Sequence, residues 1–407
     1  MTGYKRHLER KIEHFLTLFP AVAIVGVRQC GKTTLSREIG KGWRYMDLEN
    51  DRDFSQISAD PTFFFEQYPT QVILDEAQEY PLVFNVLRGV IDGDRSTKGR
   101  FIITGSSQPE LIHHISESLA GRLASVFLSP LKTSEYLGRE LSPFYTLFEQ
   151  PLSKKNIANW PVHPHKEFHM LWLKGGFPEP LSTPKLHRQW MNQFYDHYVY
   201  RDIGRLFKRL DPLKFRRFVR LLGSLSGTLI NKSDVARQVE CNESTIRDYL
   251  DIAHGTFVWR MIPSYEGSQG KSLVKMPKGY LRDSGMLHDL LGIETMDQLL
   301  AHSIVGRSFE SFVIEEILRG IDATTATHVA PYYYRTRNGA EIDLILEGSF
   351  GTLPIEIKHG STLHPADTAV LRKFVQENHL EFGLIITQNP EIYWVSPEVL
   401  HLPLGCL

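Results

Sequence analysis

The chain is poor in cysteine: Cys30, Cys241 and Cys406 are the only three in 407 residues. Their separation gives neither a disulfide framework nor a zinc pattern, so neither kind of staple is expected. No apolar run approaches the length of a membrane span, and the opening Met-Thr-Gly-Tyr-Lys-Arg-His is charged where a secretory leader would be apolar. No membrane is expected as a partner, and the cytoplasm is the expected compartment. Neither charge sign dominates, with 46 Lys plus Arg against 47 Asp plus Glu, so net charge says nothing about nucleic acid and charge has to be read locally. What remains is ordinary: 42% hydrophobic and 23% charged residues argue for ordered cores, and the length argues for two or three domains.

Against this background one stretch stands out. Gly26 to Thr33 carries the Gly-x-x-x-x-Gly-Lys-Thr spacing between a short apolar run and a helix-compatible segment, the context that a phosphate-binding loop requires. The expected nucleotide contacts are Gly26, Val27, Arg28, Gln29, Cys30, Gly31, Lys32, Thr33 and Thr34. The glycines let backbone N–H groups turn toward phosphate oxygens, Lys32 adds a point charge, and the Thr33 hydroxyl can ligate magnesium. Cys30 reads either as a redox-active thiol or as a small side chain filling the loop.

A second apolar strand, Gln71 to Leu74, ends in Asp75-Glu76, and Asp75 follows Lys32 by 43 residues. Phosphoryl transfer to water needs a metal to neutralise developing charge and a group to orient the attacking water. Asp75 suits the first task and Glu76 the second. A third strand, Arg100 to Ser107, has a polar end from which a hydroxyl such as Ser106 can sense the γ-phosphate. Arg122, after a small-residue turn, reads as an arginine finger or sensor, which in trans would require a homo-oligomer, or as a surface arginine.

Gly26-Val-Arg-Gln-Cys-Gly-Lys-Thr-Thr34, Leu74-Asp-Glu-Ala-Gln78, Thr104-Gly-Ser-Ser107 and Ser118-Leu-Ala-Gly-Arg122 resemble the successive motifs of prokaryotic AAA-type ATPases that carry a C-terminal DUF4143 domain. The resemblance implies an α/β parallel-sheet ATPase core over residues 1–138, with an added strand between the two nucleotide motifs, and ATP with Mg2+ as ligands. It covers nearly the whole chain.

Residues 139–210 read as a helical connector, loop-rich to Pro184 and then a long helix from Gln189 to Leu210. Residues 211–292 read as a winged helix-turn-helix: helices at 213–225, 232–239 and 244–250, then a strand from Phe257 and a polar hairpin tip at 266–271. Residues 201–280 hold 15 Lys plus Arg against 8 Asp plus Glu, a balance that suits phosphate backbones. DNA is therefore an expected partner, although winged helices also serve as lids and protein contacts.

In residues 293–407 two alternating strands place Asp343 with Glu341, and Glu356 with Lys358. The order of elements, with Glu310 on the preceding helix, resembles the PD-(D/E)XK nuclease fold, which implies a second divalent ion (Mg2+ or Mn2+) held by Glu310, Asp343 and Glu356 beside Lys358. The plain alternative is a solvated hairpin face. The leading expectation is thus an ATP hydrolase that binds DNA, with nuclease activity open; the alternative is an ATP-dependent switch or assembly factor whose C-terminal domains bind proteins.

Overall fold

The computed structural model describes residues 3–106, 118–157, 160–204, 207, 210–266 and 274–407. They form two compact units, one of residues 1–131 with 255–257 and the other of 132–254 with 258–407.

The first unit is built on five parallel strands, β1 (Ala21–Gly26), β2 (Arg44–Asp47), β3 (Val72–Asp75), β4 (Phe101–Ser106) and β5 (Leu123–Leu128), in the order β2-β3-β4-β1-β5. β1, β3 and β4 are buried along their whole length, as parallel strands covered on both faces must be. β4 separates the strand of the phosphate loop from the strand of Asp75, which is the inserted strand that the resemblance implied. The first helix, Leu8–Leu18, buries Leu8 and Ile12. The phenylalanine-rich stretch forms the helix Pro61–Gln67, started by an Asp60 side chain that accepts from the Phe63 amide. Its Phe64 and Phe65 enter the core with Phe84, Phe101 and Ile103, while Phe63 stays exposed.

The second unit opens with short helical turns. The long helix expected from Gln189 ends its α-helical part at Asp196 and widens into a π-helix over His197–Ile203. Helices Pro212–Leu225, Lys232–Val239 and Glu243–Gly255 follow, with β6 (Thr228–Leu229), β7 (Trp259–Ile262) and β8 (Lys278–Leu281) in an antiparallel sheet ordered β6-β8-β7. The expected hairpin tip falls mainly on 267–273, outside the described residues.

The helix Val305–Asp322 precedes a six-stranded sheet of β9 (Ala330–Arg335), β10 (Glu341–Gly348), β11 (Gly351–Ile357), β12 (Gly383–Thr387), β13 (Tyr393–Ser396) and β14 (Val399–Pro403), ordered β13-β14-β12-β11-β10-β9. β9, β10 and β11 are antiparallel neighbours, whereas β11, β12 and β14 run parallel. The helix Pro365–Glu377 connects β11 to β12 and packs on both. A bridge from Ser264 to Tyr333 ties this sheet to the end of β7. The solvated face that was the alternative for the β10–β11 hairpin is not present. Ile342 to Leu346 and Leu353 to Ile357 are buried throughout, because these are interior strands.

Helix Val305–Asp322 is buried on most of its circumference and carries Ser308, Glu310, Glu315 and Glu316 inward, so each must find a partner. Ser308 finds two: its hydroxyl accepts from Trp172 Nε1 at 2.9 Å and lies 2.7 Å from His288 Nε2. His288 Nδ1 lies 2.8 Å from the Leu173 carbonyl, so the neutral ring with its proton on Nδ1 satisfies all three groups. Burial pushes the His288 pKa down to about 4. Since the unfolded ring titrates near 6.5, the unfolded chain takes up a proton first as pH falls. Stability from this site is therefore expected to be complete above pH 6.5 and to decline by about 3 kcal/mol down to about pH 4. Denaturant midpoints at pH 7.5, 5.5 and 4.5 for the parent and His288→Gln check this, because the variant should lose that part of the slope.

Among the described residues no helix is long and apolar enough to cross a membrane.

Candidate nucleotide site

The loop after β1 turns where side chains are least tolerated. A Cβ on Gly26 would lie 2.1 Å from the Leu128 carbonyl oxygen, so only glycine lets β1 pass β5 at this point. Gly31, with φ +99°, starts the helix Lys32–Ile39, and Gln29 sits at φ +63°. Lys32 is buried and folds back, with Nζ 3.2 Å from the Gly26 carbonyl and 3.1 Å from the Val27 carbonyl. The helix begins beside it and presents N–H groups with no partner inside the helix.

Asp75, at the end of β3, collects three hydroxyls. Thr33 Oγ1 donates to its Oδ2 at 2.8 Å, Tyr45 donates to the same oxygen at 2.6 Å, and Thr104 donates to Oδ1. The Thr104 hydroxyl in turn accepts from the Glu76 amide at 3.3 Å. Glu76 stands at φ +52°, left-handed for a residue with a side chain, and its carboxylate accepts from Gln78. The Gln78 side-chain oxygen accepts from the Ser106 amide at 3.3 Å, so the ends of β3 and β4 are stitched together. Ser106 pairs in register with Gly26, and its buried Oγ has no hydrogen-bond partner. An orphaned hydroxyl beside a phosphate-type loop fits an anionic ligand in that cradle, and the Thr33–Asp75 pair supplies the hard oxygens that Mg2+ takes.

Lys32, Thr33, Asp75, Glu76 and Ser106 are thus gathered at the carboxyl ends of β1, β3 and β4. Arg122 does not join them. It precedes β5, whose Leu123 pairs with Ala21 and whose Leu128 pairs with Gly26 in parallel register. It therefore sits a full strand, roughly 20 Å, from the loop of its own chain. There its guanidinium grips Asp92 at 2.7 Å and 2.8 Å. Arg28 pairs with Glu49 at 3.1 Å. Cys30 is buried, its thiol 3.4 Å from the Leu128 carbonyl; burial pushes its pKa up, against the pull of Lys32 and Arg6. That environment suits a filler and opposes a reactive thiolate.

Sequence reasoning passed over Tyr45 and Arg6. Tyr45 lies half-buried on β2 with the Arg37 guanidinium over its ring at 4.3 Å, and burial followed by its bond to Asp75 raises its pKa. Its place follows from register, since Tyr45 and Asp47 share a face of a strand paired with β3. Arg6 donates to the carbonyls of Cys30 at 2.9 Å and Ser129 at 2.7 Å, pinning the loop from a segment with no motif.

The second set of acids is also assembled. β10 and β11 pair so that Leu344 meets Ile355, which sets Asp343 beside Glu356, and Glu310 reaches the same cluster from its helix. All three are buried. The cation among them is Lys278 of β8, with Nζ 2.7 Å from Glu310, 2.7 Å from Glu341 and 3.7 Å from Asp343. Lys358 pairs with Glu356 at 2.6 Å. The second divalent ion expected here is not supported: among the described residues no group of three or more His, Cys, Asp or Glu is arranged to hold a metal ion.

Fold and site together define a P-loop ATPase. Residues 18–137 match the family described as AAA domain, 165–297 match a domain of unknown function, DUF8612, and 305–407 match a domain of unknown function, DUF4143. An uncharacterized protein of Mycobacterium tuberculosis is 31% identical over 98% of this chain and 83% of its own length, as is one of Mycobacterium bovis. An uncharacterized protein of Haemophilus influenzae is 22% identical over 72% of this chain and 74% of its own. Among solved structures, the Walker-type ATPase of Pyrococcus abyssi is 15% identical with a TM-score of 0.43, covering 71% of this chain and 96% of that one. The chain belongs to the family of AAA-type ATPases with a C-terminal DUF4143 domain.

Proposed function

We propose that the first unit is a magnesium-dependent ATP hydrolase whose nucleotide state controls what the second unit engages. The observation that carries this is the convergence of Thr33, Tyr45 and Thr104 on Asp75 beside Lys32 and the unpartnered Ser106 hydroxyl. Bound Mg2+ would neutralise charge on the phosphates and be held by Thr33 and Asp75. Lys32 would leave the Gly26 and Val27 carbonyls for phosphate oxygens. Glu76 would orient the attacking water, and Ser106 would hydrogen-bond to the terminal phosphate. Arg122 can serve the chemistry only in trans, after release from Asp92. Lys32→Ala is expected to weaken ATP binding at least about 10-fold, since a charged hydrogen bond to phosphate is worth roughly 1.5–3 kcal/mol. Fluorescent-nucleotide titration measures this, and unchanged affinity would sink the assignment.

DNA is one reading of the second unit, supported by three helices with a three-stranded antiparallel sheet ahead of a mixed six-stranded sheet. The third of the three helices, the one a winged helix-turn-helix would place in a major groove, argues for the other. Helix Glu243–Gly255 exposes Glu243, Asp248 and Asp251 against Arg247, a face that DNA phosphates repel. Among the described residues helix Pro212–Leu225 also exposes cations, Arg217 and Arg220, and its Arg216 and Arg217 already pair with Asp196 and Glu240. This favours a protein partner for the third helix and an ATP-driven switch for the whole. Titration with duplex DNA at low salt decides: no binding supports the switch, and salt-sensitive binding lost in Arg217→Glu with Arg220→Glu assigns DNA to the first of the three helices.

A further inference from the structure

The carboxylate cluster of the second unit is closed by protein donors. Lys278 and Tyr280 alternate along β8 onto one face and both reach Glu310 Oε1. Asp343 turns its other oxygen to the Ile357 amide at 2.9 Å, Glu341 turns its other oxygen to Arg335 at 3.1 Å, and Glu356 is taken by Lys358. Glu310, Glu341, Asp343 and Glu356 thus face Lys278, Lys358 and Arg335, four negative charges against three positive. The set is already close to neutral, and a divalent ion would reverse its sign in a buried space. Hard divalent ions need oxygens at roughly 2.0–2.6 Å on several sides, and the ammonium fills that central position.

We propose that Lys278 is the resident cation of this cluster, standing where a divalent metal would otherwise sit, so that β8, β10 and helix Val305–Asp322 form a lysine-neutralised lock that takes no divalent ion. Two features add support. The Lys278 side chain is only 5% exposed, and a lysine is buried to that degree only when its charge is met. Burial alone would lower its pKa, yet Glu310, Asp343 and Glu341 carry it upward.

The test counts bound Mn2+ by the loss of its free-ion electron paramagnetic resonance signal, using the full chain with Asp75→Asn and no nucleotide, which removes the phosphate-loop site. No binding is expected below about 1 mM, the weak end for oxygen-ligand sites. Adding Lys278→Met is expected to create one Mn2+ site that Asp343→Asn removes again. One Mn2+ bound with Lys278 intact and lost in Asp343→Asn overturns the proposal, as does a folded Lys278→Met chain that still ignores Mn2+. Lys278→Met should also lower the melting temperature by about 5 °C or more. If it does not fold, Lys278→Met with Glu310→Gln decides, because removing one charge of each sign should recover folding in part. A double variant no better than the single one overturns the lock.

Discussion

Glu76→Gln is expected to leave nucleotide affinity within about twofold and to lower kcat at least about 100-fold, the range a positioned general base contributes. The substitution keeps shape and volume. The backbone at φ +52° and the Glu76 amide bond to Thr104 are untouched, and a glutamine can still accept from Gln78 through its side-chain oxygen. What disappears is the anionic oxygen that draws a proton from water, so loss falls on turnover and not on binding. Phosphate release beside nucleotide titration measures both quantities. Normal hydrolysis by Glu76→Gln would remove Glu76 from the chemistry and leave Asp75 and its three hydroxyls as a binding device only.

The second large effect is on stability. Glu315 is buried on helix Val305–Asp322, with Arg260 Nε at 2.5 Å, Arg282 Nε at 3.5 Å and Arg319 Nε at 3.8 Å. Burial would raise its pKa, but Arg260 and Arg282 carry it down to about 2. Burial, with Arg260 next, pushes Arg282 down to about 10, which shows how crowded the positive charge is. Glu315→Gln keeps the volume and removes the anion, so it should cost about 3–5 kcal/mol, the usual effect of breaking a buried pair. The linkage has the same sign and size: with an ordinary value of 4.5 and a folded value of about 2, the carboxylate's contribution is full above pH 4.5 and about 3 kcal/mol is lost as pH falls through about 2. That window lies below the one belonging to His288, so urea midpoints across pH 7.5 to 3 separate the two. A Glu315→Gln midpoint equal to the parent's would mean that the arginines are satisfied elsewhere.

The nucleotide site was legible because phosphate chemistry demands particular residues at short spacing. Gly26, Lys32 and Thr33 lie within one turn of chain, and Asp75-Glu76 ends a strand whose apolar character announces itself. Tyr45 was not legible, because its role depends on the register of β2 against β3 and no local pattern encodes that pairing. Arg122 shows the converse limit. Its residue type and turn were readable, but only the parallel pairing of β5 with β1 shows that it lies at the opposite end of the strands from the loop of its own chain. Charge counting is limited for a third reason. Lys278 and Arg260 entered the basic surplus of residues 201–280, yet Lys278 is buried and Arg260 only partly exposed, each in an ion pair with a buried carboxylate, Glu310 and Glu315, and a count cannot separate core cations from surface ones. Asp343, Glu356 and Glu310 were correctly grouped, whereas their counter-charge came from 32 residues upstream of Glu310, in a stretch read as part of another domain.

That upstream lysine bears on how the protein can be dissected. The DUF4143 match starts at residue 305, but a fragment cut there would keep the acids and leave their cation behind. Similarity of sequence marks one boundary, and the charge balance of the buried acids draws another, which reaches back to β8.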